Sequence, residues 1–254
     1  MTSVFIKRLT TVEELEHARQ VCDAVWVNPN NGTEITSNLL RALSHSGGYV
    51  AAAYRDTDAE VPVGAIISFV ARHQNADGTW DVHLHSHMNA VLPEHRDAGI
   101  GTLLKLDQRA WALENGIATI AWTFDPLVRR NLRINILKLG IDLHSYEPNF
   151  YGLMADDLNA GDETDRLIAW WELQSESTMA ALAGQVNPLR EIPEDAIVVE
   201  IPADIISLRK QNPDVALEWR YRVRSEIQAA LASGRTLLGL TNDDFYVFGW
   251  KNAN

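Results

Sequence analysis

The chain has 254 residues, with 34 Asp and Glu against 22 Lys and Arg, and a formal charge of −12 at pH 7. Apolar residues make up 46% and charged residues 22%, and eight Trp need burial, which excludes disorder as the main state. The acidic balance argues against a nucleic-acid partner, whose phosphates require a basic surface. The single cysteine, Cys22, excludes an intrachain disulfide and a thiolate metal cluster.

The longest apolar run, residues 61–71, is too short to span a bilayer, and residues 1–8 hold no apolar signal region. The expectation is a cytoplasmic protein with no membrane partner. Residues 5–9 read as a strand. Residues 11–25 read as a helix, with Thr10 or Thr11 as cap and Glu13 or Glu14 close behind. A second helix covers 36–44, and Gly47-Gly48 closes it. Strands follow at 49–54 and 63–70, and Asp77-Gly78 marks a hairpin into a third at 80–91.

Residues 99–115 read as a helix with Leu103, Leu106, Ala110 and Leu113 on one face and Gly116 at its end. A strand at 117–124 leads to Asp125-Pro126, where Asp125 is expected to cap a helix that ends at Gly140. Strand, helix, strand, helix over this stretch predicts a mixed α/β sheet with a parallel crossover. Residues 156–164 read as a loop and 166–173 as a strand. A β-α-β extension follows: a strand at 196–201, a helical stretch at 202–233 broken at Pro213, and strands at 236–250. The expected division is 1–174 and 175–254.

Charge is uneven. Residues 92–140 hold seven Lys or Arg (Arg96, Lys105, Arg109, Arg129, Arg130, Arg133, Lys138) against five acids, so they carry +2 and the remainder −14. Such an island in an acidic chain is the footprint expected of a bound anion. Within it, His95-Arg96-Asp97-Ala98-Gly99-Ile100-Gly101-Thr102 lies between a strand and a helix. Glycines there let backbone N–H groups approach an anion, and the helix N-terminus adds a favourable dipole. The spacing is neither that of a dinucleotide-binding fingerprint nor that of a P-loop.

Val91-Leu92-Pro93-Glu94-His95-Arg96-Asp97-Ala98-Gly99-Ile100-Gly101 resembles the central motif of the GNAT superfamily of acyl-CoA-dependent N-acyltransferases, over roughly residues 4–155. A closer resemblance, reaching about residue 172, is to one poorly characterised GNAT family. It is carried by Leu84-His85-Ser86-His87-Met88, Gln108-Arg109, Trp122-Thr123-Phe124-Asp125-Pro126-Leu127, Asn135 ahead of Lys138-Leu139-Gly140, Asn149-Phe150-Tyr151-Gly152 and Asp165-Arg166-Leu167. Some relatives are thought to N-acylate amino acids, with acyl groups that include larger ones than acetyl.

The resemblance implies a central mixed sheet flanked by helices, and acetyl-CoA or another acyl-CoA (succinyl-CoA, for example) as co-substrate with a small-molecule amine as acceptor. It assigns Met88, Asn89, Ala90 and Val91, the loop Arg96, Asp97, Ala98, Gly99, Ile100, Gly101 and Thr102, and Asn135 to the acyl-CoA. Trp122 and Arg166 are assigned to the acceptor. One departure stands out: aligned on Lys138-Leu139-Gly140, Ile136 occupies the place of the tyrosine that usually protonates the departing thiolate. Asn135, Tyr146 and Tyr151 are the alternatives, with Tyr151 taken into the site.

The acceptor amine must lose a proton to attack, and the oxyanion needs backbone donors. His83, His85, His87 and Asn89 alternate, so one strand face is expected to hold all four, with Ser86, Met88 and Ala90 on the other. His85 stands eleven residues before Arg96, where histone acetyltransferases of the superfamily hold a basic Glu. An imidazole with a pKa of about 6.5 suits that role, so His85 is the first choice of base and His87 the second.

Two other classes stay open. Asp81, His83, His85 and His87, with a third ligand such as Asp125, would suit a metal-dependent hydrolase. The missing tyrosine would suit an acyl-CoA-binding module without catalysis. Arg166 either forks onto a substrate carboxylate or pairs with Asp165. Cys22 reads as packed, and Trp170-Trp171 as one buried and one exposed ring. Whether the C-terminal part closes the acceptor site or forms a homodimer stays open.

Overall fold

The computed structural model describes residues 3–27, 32–152, 154 and 162–250. They belong to two units, Met1–Trp122 and Thr123–Asn254. The first begins with β1 (Val4–Arg8), α1 (Val12–Val25), α2 (Ser37–His45) and β2 (Tyr49–Arg55). The Thr11 side chain accepts from the Glu14 N–H while Glu14 reaches back to the cap, a reciprocal pair that stabilises the start of α1 by about 1 kcal/mol. The Thr36 side chain caps α2 by accepting from the Leu39 N–H, with no reciprocal partner at that position.

β3 (Asp58–Gln74) and β4 (Trp80–Val91) form a long antiparallel hairpin. Its turn is closed by Asp77, whose carboxylate accepts from the Thr79 N–H at 2.9 Å. After a 3-10 turn at Pro93–His95 come α3 (Ile100–Glu114) and β5 (Thr119–Phe124), whose last two residues enter the second unit. β5 runs parallel to β4, while β1 to β4 pair antiparallel in sequence, so the sheet is mixed as expected. On one face, Leu15, Ala18 and Cys22 of α1 and Leu40 of α2 pack against Ala52, Ile67, Met88 and Ala90. Cys22 is fully buried there, and desolvation pushes its thiol up to about 12.

α3 covers the other face, and it presents a different side from the one its leucines suggest. Ile100, Leu104, Lys105, Gln108 and Ala112 are buried, whereas Leu103 is 40% and Leu106 36% exposed. The spacing of four from Ile100 to Ala112 defines the inward stripe. Two serines on the sheet, Ser68 and Ser86, supply hydrogen-bond partners that let Gln108 and Lys105 occupy it. Gly64 allows the approach: a Cβ there would stand 3.1 Å from both the Ala90 carbonyl oxygen and the Ile100 side chain.

The second unit contains α4 (Arg129–Leu132), continuing as a π-helix over Arg133–Leu139, then antiparallel β6 (Asp142–Glu147) and β7 (Arg166–Glu172). α5 (Glu176–Leu182), β8 (Ile197–Val199), α6 (Ile205–Gln211), α7 (Pro213–Ala232), β9 (Thr236–Leu240) and β10 (Tyr246–Gly249) complete it. The last three strands form a small antiparallel sheet in the order β8-β10-β9, the extension expected at the C-terminal end. Asn212 caps α7 with Pro213 in its first position, which breaks the long helical stretch where the proline predicts it.

No helix begins at Pro126. Asp125 instead accepts from the Leu127 N–H at 2.9 Å in a tight turn, and helical structure starts at Arg129. Most of the loop expected at 156–164 lies outside the described residues. Among the described residues, no helix is long and apolar enough to cross a membrane.

Candidate active site

β4 carries the histidines, but not all in simple alternation. Its register against β3 steps from Ser68–Ser86 to Ile67–Met88, so His87 is the extra residue of a bulge. The expected face assignment fails beyond that point. Met88 and Ala90 turn to the α1 side, while Asn89 joins Ser86 on the α3 side and donates from Nδ2 to the Gly101 carbonyl at 3.1 Å. His85 and His87 remain neighbours, with ring centres 6.2 Å apart and Phe69 4.9 Å from His85.

His85 is half-buried, and its pKa is pushed down to about 4, by desolvation first and then by His87, His83 and Lys105. It is therefore neutral at pH 7 and a weaker base than the ordinary imidazole expected from the sequence. Desolvation lowers His83 and His87 as well, and His73 adds to the effect on His83.

β5 pairs with β4 only at Leu84–Ile120 and His85–Ala121. Beyond His85, β4 keeps β3 as its partner and parts from β5. It then runs through Val91 into the expected loop, where the Arg96 Nε donates to the Val91 carbonyl at 3.4 Å. Asp97 (φ 64°) and Gly99 (φ 77°) are both left-handed. Gly99 is the N-cap of α3, and among the described residues no side chain caps that helix. A Cβ on Gly99 would meet nothing within 4 Å, so the backbone there faces open space. Uncapped N–H groups at the end of a 15-residue helix, bordered by two left-handed residues, fit an anionic pyrophosphate. The basic island is weaker than its count, because burial pushes Lys105 well below its ordinary value.

Of the expected site residues, Arg166 and Tyr151 lie in the second unit. Arg166 on β7 is 8% exposed, with its guanidinium 5.3 Å from the centre of the Tyr151 ring and a bond from Nη1 to the Asp165 carbonyl at 2.9 Å. Desolvation lowers Arg166, and Asp125 opposes that. Tyr151 is exposed, with its hydroxyl 3.1 Å from that of Thr123. Tyr146 is buried and donates to Asp165 at 2.5 Å. Asn135 and Ile136 are buried in the π-helix, where the Asn135 carbonyl accepts from Ile141 at 3.1 Å. Trp122, in the first unit, is 6% exposed, and the Lys105 Nζ covers its ring at 3.6 Å.

Sequence reasoning missed a buried charge cluster. Asp125 pairs with Arg209 and with Arg220 (3.0 Å), and Asp162 pairs with the same two arginines at 2.9 and 2.7 Å. Burial alone would raise Asp125, but Arg220 and Arg209 hold it well below the usual carboxylate range. Asp125 is thus a structural carboxylate, as expected, through ion pairs instead of a helix cap. Its engagement with two arginines also removes it as a metal ligand. Among the described residues, no group of three His, Cys, Asp or Glu is placed to hold a metal ion.

The fold is that of GNAT acyltransferases. It is similar to a chain of the NatC complex bound to Gag peptide and CoA (15% identity, 67% of this chain and 98% of that one, TM-score 0.52). It is also similar to the ribosomal-protein-S18-alanine N-acetyltransferase from Escherichia coli (14%, 68% and 96%, 0.51). A third is FeeM, an N-acyl amino acid synthase from uncultured soil microbes (13%, 73% and 98%, 0.50). No family model matches the sequence, and no curated protein matches it.

Proposed function

We propose that the chain is an acyl-CoA-dependent N-acyltransferase of the poorly characterised GNAT family that its motifs resemble, moving an acetyl or larger acyl group to the amine of a small molecule. The observation that carries this reading is the path of β4. It loses β5 after His85, keeps its free edge through Met88–Val91, and ends in a loop with left-handed Asp97 and Gly99 at an uncapped helix. That path provides backbone donors for a thioester carbonyl followed by an anion cradle for a pyrophosphate, in the order in which an acyl-CoA presents them. Asn89 ties the two parts together through its bond to Gly101.

His85 keeps its lone pair at every pH above about 5, since its pKa is about 4. It is assigned to orient the amine or a water that relays its proton, with His87 beside it. The nitrogen of the neutral amine attacks the thioester carbon, the oxyanion collapses, and the thiolate leaves. Tyr151 is assigned the proton for that thiolate, because Tyr146 is committed to Asp165 and Ile136 offers none. Arg166, under the face of Tyr151, is assigned to an acceptor carboxylate, which favours amino acids as the acceptor class. Trp122 forms a wall, since Lys105 covers its ring.

A non-catalytic acyl-CoA-binding module is the second reading, favoured by the buried Ile136 where the usual acid stands. Thiol release from acetyl-CoA and succinyl-CoA with a panel of amino acids and amines separates the two. The enzyme releases CoA only with an acceptor present, whereas the module binds and releases none.

A further inference from the structure

We propose that Lys105 is a positioning residue of the acyl-transfer site: it bridges β4 and β5 where they part and fixes the gap in which the thioester is to lie. This rests on the acyltransferase reading. Leu84–Ile120 and His85–Ala121 are the paired positions of the two strands. Ser86 follows His85 on β4, and Trp122 follows Ala121 on β5. Lys105, from the inward stripe of α3, reaches both: its Nζ donates to Ser86 Oγ at 2.8 Å and stands 3.6 Å from the centre of the Trp122 ring.

Gln108, one turn on, extends the bridge. It accepts from Lys105 at 3.3 Å and donates to Ser86 at 3.1 Å and to Ser68 on β3. Two side chains from the helix that opens at the anion loop thus link three strands at the mouth of the splay.

The chemistry of the residue supports a bridge over a filler. Lys105 is 4% exposed, and among the described residues no carboxylate forms an ion pair with it. No opposite charge offsets the desolvation there, and burial favours the neutral amine. A neutral amine has two N–H bonds, which it donates to Ser86 and Gln108, while its nitrogen packs against the indole. A methionine or leucine would fill the same volume without linking the two strands. What lysine adds is the connection between Ser86 and Trp122, one residue beyond His85.

The test compares Lys105→Met, which keeps the length, with Ser86→Ala, which removes the other end of the bond, and with the double variant. In wild-type protein, the amides over residues 86–91 that face β3 should exchange slowly. Both single variants should speed that exchange about tenfold while α1 stays unchanged. Acetyl-CoA affinity, read by calorimetry, should fall about tenfold in each single variant and no further in the double, because the pair acts as one unit. Unchanged exchange in both single variants, or losses of affinity that add in the double, overturns the proposal alone. Wild-type protein that binds neither acetyl-CoA nor CoA overturns the acyltransferase reading and the proposal with it.

Discussion

Two buried polar clusters, one in each unit, solve the same problem in opposite ways. In the first unit, burial moves Lys105, His83 and His85 each toward its neutral form, and among the described residues no carboxylate forms an ion pair with Lys105. In the second, Asp125 and Asp162 meet Arg209 and Arg220, and the opposite charges hold Asp125 and Arg220 ionised against the same desolvation. The lesson is that burial alone does not set protonation; the presence of a counter-charge does. The neutral cluster borders the proposed chemistry and can exchange protons. The ionised one is scaffold.

The contrast breaks most severely at Asp125. Asp125→Ala leaves two buried guanidiniums to share Asp162 alone, and removing one partner from such a buried cluster costs about 3–5 kcal/mol, measured as a fall in the urea midpoint. A loss of 1 kcal/mol or less would mean that the cluster is not closed as described. Next in size is His85. His85→Ala should lower kcat by about 10²-fold and leave CoA affinity intact. With its pKa near 4, the wild-type rate should not fall from His85 protonation until the pH drops below about 5. A rise through pH 6.5 that persists with a weakly basic acceptor amine would contradict that shift.

Stability against pH sharpens the comparison further. His85 binds a proton near pH 6.5 when unfolded and only near 4 when folded, so its contribution to stability rises with pH across that window and is complete above it. His85→Gln should flatten that segment of the pH curve. Lys105, lowered well below 10.5, acts the same way at higher pH: stability rises from its folded pKa toward 10.5. Lys105→Met should remove that rise, a change of at most one proton in the slope. The Asp125 pair adds no slope between about pH 5 and 9, because its carboxylate is charged in both states there and its contribution is fully present.

How far the sequence reached follows from the range of each cause. The capping box at Thr11 and Glu14 and the break at Pro213 are local, and each stood where its residues predict it. The bulge at His87 was not legible, because an unbroken alternation of histidines carries no mark of a register step in its partner strand. The inward stripe of α3 misled for a related reason. Leucine is the usual core residue, and only Ser68 and Ser86 on distant strands make Gln108 and Lys105 better guests. The partners of Asp125 lie 84 and 95 residues further on, so the Asp-Pro pair suggested a cap that the tertiary fold overrides.

The central claim is that β4, its loop and α3 receive an acyl-CoA, and one calorimetric titration addresses it. Acetyl-CoA titrated into wild-type protein and into Gly99→Asp should show binding to the first. In the second, affinity should fall by about 10²-fold, since an acidic side chain then stands at a left-handed position facing the pyrophosphate. Equal affinity in the two proteins, or none in the wild type, would contradict the account.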